Sequence, residues 1–230
     1  MALLLRLPEP VRSVVPARHP WLELKDGAGL VWQHRLLRPI LLTAVAWNLS
    51  WFVVQAAYMP HAMRSLGLRA SAVGLTLASY SAGMVMGALA EPRVLAAPPF
   101  GRMMVLKPAM SVAAMSTLAT MVATVAWPSG WLAGASLFLF GAGPIRWTIG
   151  STTLRQTVTP QAMLGRVSAF CLTVNMGDRP LGAALGGSVD KVWHAPACLW
   201  LALGGFGAQA WLIVQSPARG LRRLPRVPAA

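Results

Sequence analysis

Charged residues are scarce in this sequence. Of its 230 residues, 11% are Asp, Glu, Lys or Arg, whereas 56% are hydrophobic. Soluble domains carry about a quarter charged residues, so the composition excludes an ordinary water-soluble domain. It also excludes a disordered chain, because disordered segments are poor in apolar residues. The lipid bilayer is therefore the first partner that the composition predicts.

Acidic residues are the rarer of the two charge types. There are 6 Asp and Glu against 20 Lys and Arg, which gives a net charge of +14. A nucleic-acid-binding protein concentrates such charge on one soluble face. Here the basic residues lie in short connectors between long uncharged runs, as in the cytoplasmic loops of multi-pass membrane proteins. Nucleic acid is not expected as a partner.

Groups that carry catalysis or bind metals are also few. The two cysteines, Cys171 and Cys198, lie in apolar runs 27 residues apart, which predicts buried, unreactive thiols. The four histidines are scattered, and no hydrolase or phosphate-loop motif is present. The string GAGPIR at 141–146 lacks the third glycine of a dinucleotide-binding motif and has no strand before it. We therefore expect no enzyme, no cofactor and no metal site.

Long uncharged runs set the organisation of the chain. About 20 mostly apolar residues in a helix cross a hydrocarbon core of ~30 Å, and six stretches meet that length: 39–59, 71–90, 103–127, 131–153, 167–189 and 195–214. Only the fifth is ambiguous by hydropathy, because Asp178 and Arg179 lie in its middle. The sequence predicts an all-α membrane protein with a lead-in at 1–38, a six-helix bundle at 39–214 and a basic tail at 215–230.

The segments outside the bundle are expected at the cytoplasmic face. The first apolar run is too short for the core of a signal peptide. Residues 21–38 are predicted to form a surface helix with Trp21, Leu22, Leu30, Val31, Leu36 and Leu37 toward lipid. The tail from Ser216 onward, rich in Arg and Pro, is expected to be unstructured.

The basic residues also predict the orientation. With the amino terminus in the cytoplasm, the inside segments hold 15 Lys and Arg, Arg155 and Arg166 among them, and the outside loops hold three. Cytoplasmic loops of membrane proteins carry such an excess. Both termini are therefore expected on the cytoplasmic side.

Polar residues inside the spans recur on single helical faces. Because polar side chains in hydrocarbon face other helices or a water-filled cavity, the candidates for a substrate pathway or for ion coupling are Asn48, Gln55, Tyr80, Arg146, Asn175, Asp178 and Arg179. For Asp178 and Arg179, a structural ion pair and a substrate or proton site remain equal alternatives. The pairs Gly83/Gly87 and Gly182/Gly186 predict close helix packing.

Two stretches resemble a known transporter family. The strings STTLRQTVTPQAMLGRVSA (151–169) and GDRPLGAALGG (177–187) are similar to the second-half signature of the major facilitator superfamily. The closer match is the branch of the enterobactin exporter and drug-efflux permeases. Pro160, Gly165 and Arg166 occupy the places of the Pro-x-x-x-x-Gly-Arg loop between the family's tenth and eleventh spans. In that loop we expect Thr159 to cap a short helix starting at Pro160, Gly165 to allow a turn, and Arg166 to lie in the headgroup layer.

A second loop resembles the family's cytoplasmic motif Gly-x-Leu-x-Asp-Arg-x-Gly-Arg. The residues that match it are Gly87, Leu89, Glu91, Arg93, Gly101 and Arg102. The sequence departs from the motif in two ways: residues 94–100 separate its two parts, and Glu91 replaces the usual acid. The lead-in also looks like the central linker of the family.

The resemblance implies a fold and a function. The six spans would correspond to the seventh through twelfth of a superfamily transporter, whose substrate site lies between two six-helix halves. It implies secondary transport, as efflux of a small amphipathic solute coupled to protons, in the bacterial inner membrane. A second half would come from another copy or a separate chain. Two alternatives remain, a non-transporting fragment or helix-association protein and, with less support, a membrane-embedded enzyme.

Overall fold

The computed structural model describes residues 19–64, 66–96, 100–123 and 130–223, and within these ranges it contains helices and no strand. Side chains at 91–96, 102, 103, 107 and 116–123 are outside the description. Six α-helices run in the order α1 (Pro20–Gln33), α2 (Leu37–Arg64), α3 (Ala70–Ala96), α4 (Phe100–Ala123), α5 (Gly130–Val158) and α6 (Leu164–Gln215). Short 3-10 turns span Gln161–Met163 and Pro217–Gly220.

Among the described residues, four helical segments are long and apolar enough to cross a membrane. They are Leu37–Arg64, Ala70–Ala90, Gly130–Val158 and Gln161–Gln215, and α4 contains a shorter apolar stretch at Met104–Met115. Many large apolar side chains on these helices are exposed, such as Leu75, Leu89 and Leu181 at 65% or more of their surface. A soluble monomer rarely exposes apolar patches of that extent. The expectation of an all-α membrane-embedded protein is confirmed at this level.

Helix α6 breaks at His194. The backbone there has φ 64° and ψ 171°, and Pro196 follows at the start of the next helical arm. The Cys198 thiol donates a hydrogen bond of 3.3 Å to the carbonyl oxygen of Gly186. In a straight helix these twelve residues would span about 18 Å, so the two arms of α6 fold back against each other. The predicted boundaries at 189 and 195 bracket this break.

Helix α1 forms where the sequence predicts a helix, but it packs on protein. Val31 is fully buried and clusters with Leu37, Leu41 and Val167. Gly27 lies against the backbone of Arg166 in the first turns of α6, so closely that a Cβ atom would come within 2.5 Å of its carbonyl oxygen. The expectation that Val31 and Leu37 face lipid is therefore wrong, because both lie against α6; Trp21 and Leu22 do remain exposed.

His34 joins α1 to α2. Its backbone N–H donates to Leu30 at the end of α1, and its Nδ1 atom accepts from the backbone N–H groups of Leu36 and Leu37 at 3.2 and 3.3 Å. Burial lowers the pKa of His34. A lowered pKa favours the neutral ring, which is the form that can accept these bonds.

Glycine pairs hold the helices together, as predicted. Gly83 and Gly87 of α3 lie against the backbone of α5 at Phe138 and Ala142. Gly182 and Gly186 of α6 lie against α2 in the same way: a Cβ atom at 182 would come within 2.6 Å of the carbonyl oxygen of Leu49. Such backbone approach is how helices associate in lipid, where apolar burial alone gives little driving force.

The carboxyl-terminal segment docks on α4, contrary to the expectation of an unstructured tail from Ser216. The backbone N–H of Phe100 donates to Arg222 at 3.2 Å, and that of Gly101 donates to Leu221 at 2.7 Å. These are first-turn N–H groups of α4, which have no partner within their own helix. A folded turn at 217–220 thus satisfies them, and a glycine at 101 leaves room for it.

The α2–α6 contact predicts unequal effects at two nearby glycines. We expect Gly182→Ala to destabilise the chain by about 1–3 kcal/mol, because the new methyl group overlaps backbone and adjacent atoms of α2. Gly187→Ala is the matched control, since the position of its Cβ has no heavy atom of the described residues within 4 Å. Thermal unfolding of both variants in the same nanodiscs, followed by far-UV circular dichroism, measures the difference. Equal melting temperatures would contradict the packing.

Candidate functional site

A cavity of about 420 Å³ lies between α2, α5 and the first arm of α6. Each helix contributes one face, with lining residues spaced three and four apart, as one side of an α-helix requires. The lining residues are Leu37, Ile40, Leu41, Ala44, Trp47 and Asn48 of α2, Pro144, Trp147, Thr148, Ser151, Thr152 and Arg155 of α5, and Ser168, Cys171, Leu172, Asn175, Met176 and Arg179 of α6.

The cavity occupies one end of the helices. Its lining covers eleven residue steps on each helix, at 37–48, 144–155 and 168–179, or about 16 Å at 1.5 Å per residue. These stretches are the start of α2, the end of α5 and the start of α6, which lie at the same end of the bundle. The cavity therefore extends about halfway through a hydrocarbon core of ~30 Å.

Two predicted residues meet at the inner part of the cavity. The Asn48 amide nitrogen donates to the side-chain oxygen of Asn175 at 3.3 Å and to the backbone oxygen of Ala44 at 3.1 Å. The bond joins α2 to α6 across 127 positions of sequence. The structure thus brings together Asn48, Asn175 and Arg179 from the predicted set.

Three nitrogen atoms of lining residues are buried without a hydrogen-bond partner among the described residues. They are Nε of Arg155, Nε of Arg179 and Nε1 of Trp47. The Arg179 guanidinium lies 5.7 Å from the centre of the Phe52 ring, a cation–π distance. No Asp or Glu side chain lines the cavity within the described part of the chain. The site therefore carries positive charge and unused donors.

An aromatic cluster lies beyond the inner end of the cavity. Trp51 stacks on Tyr80 at 4.9 Å and on Phe140 at 4.8 Å between ring centres, and Phe140 meets the edge of Phe206 at 5.0 Å. Trp47 stacks on Trp51 and Phe140 at 6.0 Å each and also lines the cavity. These rings come from α2, α3, α5 and α6, so packed aromatic side chains close the cavity toward the other end of the bundle.

The other predicted pathway residues lie outside the cavity. Tyr80 belongs to the aromatic cluster, Gln55 is exposed, and Arg146 is half-buried on α5. Asp178 is 5% exposed, and neither of its carboxyl oxygens has a hydrogen-bond partner among the described residues. It shares a helical face with Gly182, which packs on α2. No hydrogen-bonded ion pair between Asp178 and Arg146 forms.

The loop before α6 differs from the expected geometry. The 3-10 turn begins at Gln161 after Pro160, the Thr159 hydroxyl makes no capping bond, and Gly165 lies inside the first turn of α6. Arg166 pairs with α1: its guanidinium lies 3.3 Å from Asp26 and 3.9 Å from Glu23. The arginine is therefore bound by acidic side chains of the lead-in.

The other loop motif lies largely outside the described side chains. Glu91 and Arg93 belong to the last turns of α3 and Arg102 to the first turn of α4, but their side chains are not described. Gly101 is described, and it contacts the carboxyl-terminal segment at Arg219. The match of these residues to the family's cytoplasmic loop motif stays a prediction.

Sequence reasoning missed the α5 wall of the cavity. Thr148, Ser151, Thr152 and Arg155 follow one another at helical spacing, so a polar stripe was present in the sequence. The predicted span ends at 153, which makes Arg155 a loop charge, whereas α5 continues to Val158. Extending the helical face by one turn includes Arg155.

Comparison with known proteins adds no assignment: no protein-family model matches the chain, and no curated protein matches it.

The cavity predicts water access at one position of α5 and not at another. In a chain with both cysteines replaced by alanine, Ser151→Cys should react with the water-soluble reagent 2-sulfonatoethyl methanethiosulfonate. Leu139→Cys is the matched control, since Leu139 is exposed on the same helix outside the cavity and would face lipid. Labelling in nanodiscs, quantified by intact mass, measures both. Equal labelling rates would contradict a water-filled cavity.

Proposed function

We propose that this chain is a six-span half of a secondary transporter that moves a small amphipathic solute across a bacterial inner membrane. The observation that carries the proposal is a cavity of mixed polar and apolar lining near one end of apolar helices, with the aromatic cluster beyond its inner end. Transporters place their solute sites near the bilayer midplane. The resemblance to the major facilitator superfamily points to the same function.

Six crossings are consistent with the lengths of the helices. The 52 residues of α6 would measure about 78 Å as one straight helix, more than twice a ~30 Å core. The break at His194 divides them into two arms of spanning length. Helix α4, with 24 residues, measures about 36 Å and supplies the remaining crossing beside α2, α3 and α5.

In this proposal the cavity opens to the cytoplasm. We place its opening at the end at which α1 contacts Arg166, and the excess of Lys and Arg in the sequence favours a cytoplasmic location for that end. The Ser151→Cys variant tests the orientation: it should be labelled in inside-out vesicles and protected in right-side-out vesicles. The reverse pattern would contradict cytoplasmic termini.

The alternative of a helix-association protein has weaker support. The motive for this alternative, and for a non-transporting fragment, is the missing second half. The four glycines of the Gly-x-x-x-Gly motifs, which could drive association, lie against other helices of the same chain. They are therefore used in folding the chain. A transporter half needs a second half, and we propose that another copy or a separate chain supplies it.

Stoichiometry tests the half-transporter directly. Mass photometry of the purified chain in nanodiscs, corrected for lipid, should give a defined dimer or a complex with a six-span partner. A uniformly monomeric chain that takes up no solute would contradict the proposal. For uptake, proteoliposomes with an imposed proton gradient should accumulate an amphipathic fluorophore, with anilinonaphthalene sulfonate and ethidium as the anionic and cationic probes.

Asp178 is the proposed proton-coupling residue, because it is the buried carboxyl group without a hydrogen-bond partner among the described residues. We expect Asp178→Asn to abolish most of the proton dependence of uptake, since an amide cannot exchange a proton in this range. Asp190→Asn on the same arm is the matched control. Unchanged transport with unchanged pH dependence in Asp178→Asn would exclude this role.

A further inference from the structure

We infer that the cavity binds an organic anion with an aromatic or apolar body, and that Arg155 and Arg179, at the outer and inner ends of its lining, both attract the anion's charge. The inference rests on the proposed function and adds that the transported solute is an anion.

The two arginines supply the charge. Arg155 is three residues from the end of α5, and Arg179 is fifteen residues beyond the start of α6, so they lie at opposite ends of the cavity lining. Each has a buried Nε without a hydrogen-bond partner among the described residues. A guanidinium presents five donors in a planar fork that matches carboxylate, sulfonate and phosphate oxygens.

Asp178 attracts Arg179 electrostatically but makes no hydrogen bond to it. Asp178 is adjacent to Arg179 in sequence, but one residue turns an α-helix by about 100°, and Asp178 lies on the packed face outside the cavity lining. Glu23 and Asp26 lie at the same end of the bundle and are bound to Arg166. Phe52 gives Arg179 a cation–π contact, which compensates only part of the lost hydration.

The other residues of the lining favour a ligand with an apolar body. Trp47, Trp147 and Leu41 present rings and aliphatic carbon, and the unpartnered Trp47 indole adds a further donor for an anion. The Asn48 amide is already used by Asn175 and Ala44. A volume of about 420 Å³ lies in the range of sites for drug-sized ligands and greatly exceeds the size of an inorganic ion.

Two sources provide this chemistry, a soluble organic anion and the headgroup of an anionic lipid. The probe is naphthalene-2-sulfonate, and its neutral counterpart is 2-naphthyl methyl sulfone, which has a similar shape without the charge. Titration calorimetry of the full chain in nanodiscs of phosphatidylcholine measures both. We expect the sulfonate to bind at least tenfold more tightly than the sulfone.

Charge-removing variants assign the site. Arg155→Gln and Arg179→Gln should each weaken sulfonate binding about tenfold or more and leave sulfone binding unchanged. Arg69→Gln is the matched control, since Arg69 is an exposed cation outside the cavity lining. The variants should keep the wild-type melting temperature, which separates loss of binding from loss of fold.

The outcomes separate this inference from the proposed function. Equal affinity for sulfonate and sulfone, or sulfonate binding unaffected by both arginine variants, would overturn the inference even if the chain transports solutes. Charge-selective binding that needs both arginines would support it even if proteoliposomes show no uptake. In nanodiscs containing phosphatidylglycerol, loss of sulfonate binding would support the anion site and assign it to a lipid headgroup. Retained binding would assign it to a soluble anion.

Discussion

Close backbone contact between α2 and α6 at Gly182 and Gly186 determines where the cavity can form. These glycines lie one and two helical turns beyond Arg179, the innermost lining residue of α6, and they touch α2 just beyond Asn48. Since lipid solvates apolar side chains well, packing of small residues must hold the helices together. The contact closes the space between α2 and α6 at Gly182 and Gly186. The cavity lies before this contact along α6, at 168–179.

Several polar groups elsewhere in the bundle satisfy their hydrogen bonds locally. The hydroxyl groups of Thr43 and Ser50 donate to carbonyl oxygens one turn earlier at 2.7 Å, and the Tyr58 hydroxyl is hydrogen-bonded to Thr76 at 2.7 Å. Such pairing is what a hydrocarbon environment requires. Buried atoms without a partner among the described residues occur at Ser136 and Gln209 too, but the Nε atoms of Arg155 and Arg179 belong to cations that line the same cavity. This combination of charge and missing partners is why we infer a ligand there.

Hydropathy predicted the long helices because membrane thickness fixes helix length, a constraint that acts on every residue of a span. The glycine pairs were also predictable, since their spacing marks one helical face. The cavity is only partly predictable. Asn48 and Asn175 follow from polar spacing and Arg179 from its being an ionisable residue within a span, but Arg155 does not follow once the helix is ended too early. The residue pattern of one helix also does not show which face meets which neighbouring helix. The pattern therefore groups Gln55 with Asn48, although Gln55 is exposed.

The adjacent residues Asp178 and Arg179 show how one helix can hold opposite charges apart. A turn of about 100° places the guanidinium in the cavity and the carboxyl group on the face that packs against α2 beside Gly182. Each charge is costly within a bilayer. A hydrogen bond between the two side chains would draw the Arg179 guanidinium out of the cavity, which would then lack its innermost cation. Asp178 is 5% exposed, and the proposed coupling role requires its carboxyl group to gain access to water. Gly182, four residues later on the same helical face, lies against α2, so the proposal predicts that the α2–α6 contact influences that access.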